Sequence, residues 1–493
     1  MSQVAYAATS SFNVHGSIRV SLPLVPVPSE AMLTGGAPTV LSSATTLTAP
    51  LELGAHATAV LGVRAQTGRP QAEASSAVVL IDDERTGAGY ALEASDGRVQ
   101  ITGGRDGLHR GLGTLAQLRD LELPGAPAGT VPAVRIADEP RFAHRGLMVD
   151  IARHFFAPRT LERVIDLMAL YGLNVLHLHL TDDQGWRIET PSRPELTEIS
   201  GHTEAGGGPG GFLTTADYTH LIDYAADRGI DVVPEIDMPG HSNAAMHAVG
   251  ALTETGEPAA VDTGTDVGFS MLRLDNPATA PFLADVFADL AAITPGQYLH
   301  VGGDEVWKMG DEEYAGFIDL LTRTVAGTGK SPMLWGEAAV AGLPGDALIQ
   351  LWDSTKDPAP IVAAAEQGAR VVLSPGKRVY LDMQYHEGYR LGQHWAGYVE
   401  TRDSYEWDPL EYAPALPAES VVGVEAALWT ETIVTEDDLF TMLLPRLAAV
   451  AEVAWSAQQD RDFDNFAIRL RAHAPLWAAR GYAFHPSPQV FGD

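Results

Sequence analysis

The sequence predicts an α/β protein: a (β/α)8 TIM barrel preceded by a smaller N-terminal α/β domain of sheet plus helix. Three observations carry this expectation. From Arg141 onward, short apolar strands alternate with amphipathic helices eight times. Polar and aromatic residues recur at the carboxyl ends of those strands, where a barrel gathers them at one mouth. Residues 1 to about 140 lack that regular alternation. The domains are accordingly expected at 1–140 and 141–493.

In the first of these, SIRVSL, TAVLGV and SAVVLI read as strands separated by Gly, Pro and Ser turns. The Ser/Ala/Thr-rich patch from Leu41 to Pro50 has linker composition, but strand-like runs flank it. Gly107 to Leu121 carries Leu112, Leu115 and Leu118 at helical spacing, and the Pro and Gly cluster after it marks a boundary. The barrel strands are expected at GLMVDIA near 146, NVLHLHLTD near 174, DVVPEID near 231, YLHVGGDE near 298, PMLWGE near 332, LIQLWD near 348, VVLSP near 371 and GVEAALWTE near 423. Between the first two, Pro158 suits a first helical position, Leu161, Val164, Ile165 and Met168 share a face, and Gly172 suits the stop. In the next interval Thr215 is the candidate cap, Tyr218, Leu221, Ile222 and Ala225 the buried stripe, and Gly229 the stop. An open doubly wound sheet uses the same local units. It would scatter Arg153, Asp182, Asp237, Asp304, Glu305, Trp335, Trp352, Trp429 and Glu431 along a line, so their recurrence at strand ends favours closure.

Composition narrows the partners. The 493 residues carry 64 acidic against 32 basic side chains, a formal charge of −32 that repels nucleic acid and anionic membranes. There are no cysteines, so disulfides, zinc thiolates and thiol nucleophiles are excluded. No apolar run reaches membrane-spanning length. The start, MSQVAYAATSSFNVHG, has no basic stretch followed by an apolar one, so the expected location is cytoplasmic, or secreted if a leader has been removed. A homodimer is compatible with the sequence, which does not specify an oligomeric state.

LHVGGDEVW places two acids in tandem just after a strand. Adjacent strand residues point to opposite faces, so Asp304 and Glu305 can address one substrate only if the backbone leaves strand geometry, which Gly302 and Gly303 permit. An acidic pair complementing a helix start is the plainer alternative. Glycoside hydrolysis usually needs one acid for the leaving oxygen and a second carboxylate at the anomeric carbon. Tandem neighbours suit that poorly. They suit substrate assistance, in which the 2-acetamido oxygen of the sugar attacks and a carboxylate orients the amide, an exception known for certain glycosidase families.

Through DIARHFF, NVLHLHLTDDQGWRIE, PEIDMPGH, HVGGDE, LWGE, VYLD and ALWTE, in that order over most of residues 141 to 456, the chain resembles the family 20 glycoside hydrolases, the β-N-acetylhexosaminidases. The N-terminal region resembles the family's accessory α/β domain, mainly through DGLHRGLGTLAQL. The resemblance implies exo-acting, retaining removal of terminal β-linked N-acetylglucosamine, and of N-acetylgalactosamine as a second substrate, through an oxazolinium-type intermediate, with no cofactor and no metal. It makes Glu305 the general acid and base and Asp304 the residue that orients the acetamido group. Tyr380 would bond the acetamido oxygen, and Trp335, Trp352 and Trp429 would wall the pocket. Arg153, Asp382 and Glu431 would hold the hydroxyls, Trp395 would reach in from a loop, and Asp182 and His241 would support the acid from behind.

Other readings of single features remain. His177 and His179 form an HxH on one strand face, as in metal-dependent barrel amidohydrolases, although packing inside the barrel also accounts for them. Glu337 or Glu431 could serve a conventional double displacement. A catalytically dead sugar-binding barrel would have lost Glu305, which is present. Trp186 and Trp307 are expected to pack structurally. The Gly-rich loop from Gly201 to Gly211 lacks a following Lys-Ser/Thr, so it reads as a flexible loop shaping outer subsites and not as a phosphate cradle.

Overall fold

The computed structural model describes residues 22–43, 45–61, 77–123, 126, 129–353 and 355–492. Its first unit is a six-stranded mixed sheet in the order Glu30–Leu33, Val134–Asp138, Tyr90–Ser95, Arg98–Gly103, Ala77–Asp82, Thr46–Thr48. One long helix, Arg105–Asp120, covers a face of it and buries Leu108, Leu112, Leu115 and Leu118. Gly107 makes this packing close: a Cβ there would lie 2.0 Å from the carbonyl oxygen of Gly89. Of the expected strands, SAVVLI is one, and the Leu41 to Pro50 patch contains the edge strand Thr46–Thr48. SIRVSL lies outside the described residues except for Leu22. TAVLGV differs from expectation, because its first four residues close the helix Gly54–Leu61. Three alanines in GAHATAVL favour helix, and tertiary context overrides the β-branched residues among them.

The eight expected barrel strands all form: His144–Asp150, Val175–His179, Asp231–Glu235, Tyr298–His300, Ser331–Trp335, Leu348–Leu351, Arg370–Leu373 and Val421–Leu428. They close in sequence order, the eighth pairing in parallel with the first from Gly423 opposite His144 to Leu428 opposite Val149. The helix Pro158–Leu170 starts at its proline and buries Leu161, Val164, Ile165 and Met168. The next, Thr215–Ala226, is capped one residue earlier than expected. Thr214 accepts from the Asp217 amide, and Asp217 returns the bond in a capping box.

Much of the barrel interior is polar. His177 Nδ1 lies 2.8 Å from Glu425 Oε1, and His177 Nε2 lies 3.0 Å from Glu235 Oε2. The same Glu235 meets His179 Nδ1 at 2.5 Å and His300 Nδ1 at 2.9 Å. The HxH pair therefore points inward, as its spacing requires, but into carboxylates and not into apolar packing. Burial alone would depress the imidazoles and raise the acids. Instead Glu235 above all holds His177 up at about 9, and its two histidine neighbours hold Glu425 down at about 2.

The sheet unit docks on the barrel through polar groups on its long helix. Arg110 donates to the carbonyls of Leu173 (2.8 Å) and Gly229 (2.6 Å), and Gln117 to that of Leu170 (2.8 Å). Behind the barrel, Arg469 makes a buried two-pronged pair with Glu452 at 2.6 and 2.8 Å. Glu452 also accepts from Tyr405 Oη (2.8 Å) and the Val27 amide (2.9 Å), which ties the amino-terminal strap to the barrel. Removing one member of such a group strands the other's charge. Glu452→Ala should therefore cost roughly 3–5 kcal/mol, read as a lower urea midpoint; a loss below about 1 kcal/mol, the range of exposed pairs, would show that the group does not anchor the strap.

Candidate active site

The fourth barrel strand stops at His300, and the chain leaves strand geometry as its glycines allow: Gly302 has φ 72°, Gly303 φ 102° and Glu305 φ 54°. Gly302 has no alternative, since a Cβ there would sit 1.6 Å from Asp237 Oδ1, the same oxygen that accepts from the Gly303 amide at 3.1 Å. The turn brings Asp304 and Glu305 to one imidazole. His241 Nε2 lies 3.5 Å from Glu305 Oε2 and 3.9 Å from Asp304 Oδ2. His241 is itself at φ 52° and is held from behind by Asp182 Oδ1 at 3.2 Å from Nδ1. Asp182 in turn meets Arg153 Nη2 at 2.8 Å and His179 Nε2 at 2.9 Å.

Electrostatics follow from this chain. Burial disfavours charge on Asp182, but Arg153 and then His241 outweigh it and keep the carboxylate ionised, well below its ordinary range. Burial likewise works against the His241 cation, yet Asp182 and Asp237 push its proton affinity well above the usual imidazole value. Asp304 ends differently. Burial pushes it up to about 7, aided by the nearby acids Glu337 and Glu305 and opposed by His241.

Asp304 and Glu305 open on a cavity of about 400 Å³ at the barrel mouth, together with Arg153, His241, Trp352, Tyr380, Trp395, Trp429 and Glu431. Four aromatic rings stand around it. The Trp352 and Tyr380 rings run nearly parallel at 6.3 Å, Trp395 stands edge-on to both at 5.7 Å, and Trp429 lies 6.3 Å from Tyr380. Arg153 lies over Trp429, 5.0 Å from the ring centre. At that end Asp382 is buried without a well-formed hydrogen bond to either carboxylate oxygen among the described residues, and Glu431 Oε2 and Asp304 Oδ1 are also unpartnered. Acceptors buried in this way call for donors from outside the chain.

Three of the expected residues stand behind the cavity wall. Asp182 is covered by His241 and Arg153, Asp382 lies beneath the floor beside Glu431, and Trp335 is fully buried with Nε1 on Glu235 (2.8 Å) and its ring 5.9 Å from Trp429. The wall also uses Thr265, Val267 and Gln393, which sequence reasoning missed because they sit on loops without periodicity or motif. Asp237 had a signal, its place in PEIDMPGH. Trp186 packs in the core as expected, whereas Trp307 is 62% exposed. The Gly201 to Gly211 loop does not line this cavity; Gly211 packs on Phe155, and Arg187 takes the loop's carbonyls. Buried acids and histidines come within 4.8 Å of one another in threes, such as His177, Glu235 and His300, a set of ligand type whose members here pair mutually.

The glycosyl hydrolase family 20 catalytic-domain model matches residues 142–458. The chain belongs to that family. It is a glycoside hydrolase of the β-N-acetylhexosaminidase type. A β-N-acetylhexosaminidase of Cellulomonas fimi is 50% identical over 482 residues, covering 95% of this chain and 96% of that protein. The family 20 β-N-acetylhexosaminidase of Streptomyces coelicolor A3(2) superposes with a TM-score of 0.89 at 40% identity, covering 96% of this chain and 99% of that one. A Streptomyces plicatus β-hexosaminidase variant in complex with its product GlcNAc gives 0.88 at 40% identity, with coverage of 96% and 98%.

The raised Asp304 has a measurable consequence in this family 20 chain. The unfolded chain releases that proton at the ordinary carboxyl value, the folded chain only near 7, so rising pH between the two disfavours the fold. Asp304→Asn should be more stable than wild type by roughly 1–4 kcal/mol at about pH 8, with the gap closing toward about pH 4. Urea titrations at both pH values check this; an equal gap at both, or a less stable variant at the higher one, would exclude it.

Proposed function

We propose that the chain is an exo-acting, retaining β-N-acetylhexosaminidase that removes terminal β-linked N-acetylglucosamine, and N-acetylgalactosamine as a second substrate, by substrate-assisted catalysis. The observation that carries the reading is the convergence of Asp304 and Glu305 on one His241 nitrogen at the edge of an aromatic box. A double displacement would need a carboxylate across the sugar from the acid. Glu337 is committed to Trp352 Nε1 (2.9 Å) and Lys356 Nζ (3.0 Å), and Glu431 sits at the Arg153 end of the cavity. The acetamido oxygen is then the available nucleophile.

In this reading Glu305 protonates the glycosidic oxygen while the acetamido oxygen attacks the anomeric carbon from the opposite face. Asp304, as carboxylate, accepts the amide N–H and offsets the charge that develops on the oxazolinium-type ring. Tyr380 donates to the acetamido oxygen, and Trp352, Trp429 and the buried Trp335 keep water from that group. Glu305 then takes a proton from water, which opens the ring with net retention. Arg153 donates to the sugar hydroxyls, and Glu431, with Asp382 buried beside it, accepts from them. Glu431 Oε2 and both Asp382 oxygens are unpartnered among the described residues, and a sugar lacking those hydroxyls would leave them unpaired. The GlcNAc held as product by the Streptomyces plicatus relative fits a pocket with these groups.

A panel of chromogenic β-glycosides with and without the 2-acetamido group, assayed in chelator, tests reaction, mechanism and metal independence together. Only the acetamido sugars should turn over, and chelator should leave the rate unchanged. Turnover of plain β-glucosides at a comparable rate would favour a protein nucleophile instead, and loss of activity in chelator would favour the metal reading of His177 and His179. Glu305→Gln should lower kcat/KM by roughly 10²- to 10⁴-fold, most for poor leaving groups. Asp304→Asn should lower it by roughly 10²-fold or more; near-normal turnover of a β-N-acetylglucosaminide by that variant would remove Asp304 from the mechanism.

A further inference from the structure

We propose that the cleft between the sheet unit and the barrel flank, a cavity of about 460 Å³, binds a small oxyanion that bridges the two units. The cleft shares no residue with the active-site cavity. In a chain with 64 acidic against 32 basic side chains, it reverses the balance: Arg119, Arg163, Arg228 and Arg480 line it against Asp120 and Asp166. The helices Gly54–Leu61 and Arg105–Asp120 supply one wall. Pro158–Leu170, the end of Thr215–Ala226 with Arg228 beyond it, and the segment at Arg480 supply the other.

Pairing within the cleft does not use up its positive charge. Arg119 Nη2 and Arg480 Nη2 both reach Asp120 Oδ2, at 2.9 and 2.8 Å. Arg228 Nε donates to Asp166 at 2.6 Å, and Arg163 pairs with Glu436. Four arginines thus meet three carboxylates, and one charge is left over. Donors are left over as well. Arg480 makes no other side-chain hydrogen bond among the described residues, so its Nε and Nη1 are open. Arg228 places Nη1 on the Tyr224 carbonyl at 3.0 Å and keeps Nη2. An excess guanidinium charge with unused N–H groups in a cleft is suited to carboxylate or phosphate oxygen.

A further donor comes from the sheet unit. His56 is 2% exposed, lines the cleft, and has its Nδ1 2.8 Å from Nδ1 of His109. Burial keeps both rings neutral, helped at His56 by His109 and Arg228 and at His109 by Arg110, and it holds His109 down at about 3. Two neutral rings so placed share one Nδ1 hydrogen, so one of them carries its proton on Nε2. His109 Nε2 is buried without a partner among the described residues. A hydrogen there would be an orphaned donor, the costlier defect. His109 therefore holds Nδ1–H, and the Nε2–H belongs to His56, at the cleft. With Arg228 and Arg480 on the barrel side, it completes a set of donors drawn from both units.

The test is equilibrium dialysis against radiolabelled inorganic phosphate at neutral pH, with ionic strength held constant by sodium chloride. It uses wild type, Arg480→Gln, Arg228→Gln and, as a control on an exposed helix face, Arg323→Gln. Wild type and the control should bind one equivalent saturably, and each cleft variant should bind roughly tenfold more weakly or worse. Phosphate should also raise the urea midpoint of wild type and not that of Arg480→Gln, a comparison made within each variant and so independent of its starting stability. Absence of saturable binding by wild type overturns the assignment. So does an affinity that both cleft variants leave unchanged, which would put the anion elsewhere on the chain. An equal loss in Arg323→Gln would reduce the effect to overall charge and overturn it too.

Discussion

A charge buried in this barrel persists only beside an opposite one, and that constraint organises everything above the barrel floor. Glu425, His177, Glu235, His179, Asp182 and His241 form one alternating line of carboxylates and imidazoles that ends at Glu305. Each acid that takes two or three histidine or arginine partners stays ionised despite burial, and each histidine between two acids stays protonated. The line is a product of closure. Across neighbouring strands, Asp150, His179, Glu235 and His300 stand opposite one another in register. A slip of one residue in any of those strands would strand several charges at once.

The mouth departs from this order at the turn that carries Asp304 and Glu305. Among the described residues Asp304 has no cation bound closely to it; the His241 imidazole nitrogen is 3.9 Å away, and burial raises its carboxyl to about 7. The backbone there is also uncommon, with Glu305 left-handed and two positive-φ glycines before Asp304, at the first of which Asp237 excludes any Cβ. In the proposed mechanism both features place free energy where substrate would recover it: an amide N–H would meet the unpartnered carboxyl oxygen, and a cationic ring would meet a negative charge otherwise costly to keep.

The two sides of the mouth differ in chemistry. Toward Arg153 the surface is charged and enclosed, with buried carboxylate oxygens unpartnered among the described residues. Toward Trp307 it is chiefly apolar, and Trp307 and Val340 face water. Glu305 lines both.

Much of this was legible in the residues. Eight apolar strands, the helix stripes and the strand-end acids and indoles depend on local periodicity, and each strand formed where its pattern lay. The tandem acids announced a break in strand geometry, because two neighbours can share a substrate only off the pleat. Local patterns were weakest where packing decides, as in TAVLGV, whose first residues close a helix, and in the cap that falls on Thr214. They were silent on loops, so Thr265, Val267 and Gln393 had no signal. They also could not say that Trp335 lies behind the wall and Trp307 in the open, or that His177 and His179 meet carboxylates from the third and eighth strands. Sequence alone therefore determined the barrel and the strand-end side chains brought to its mouth, since periodicity and residue type are properties of short stretches. Tertiary structure alone decided which of those side chains face one another, are buried or stay unpaired, because these depend on strand register and on loops that meet only after closure.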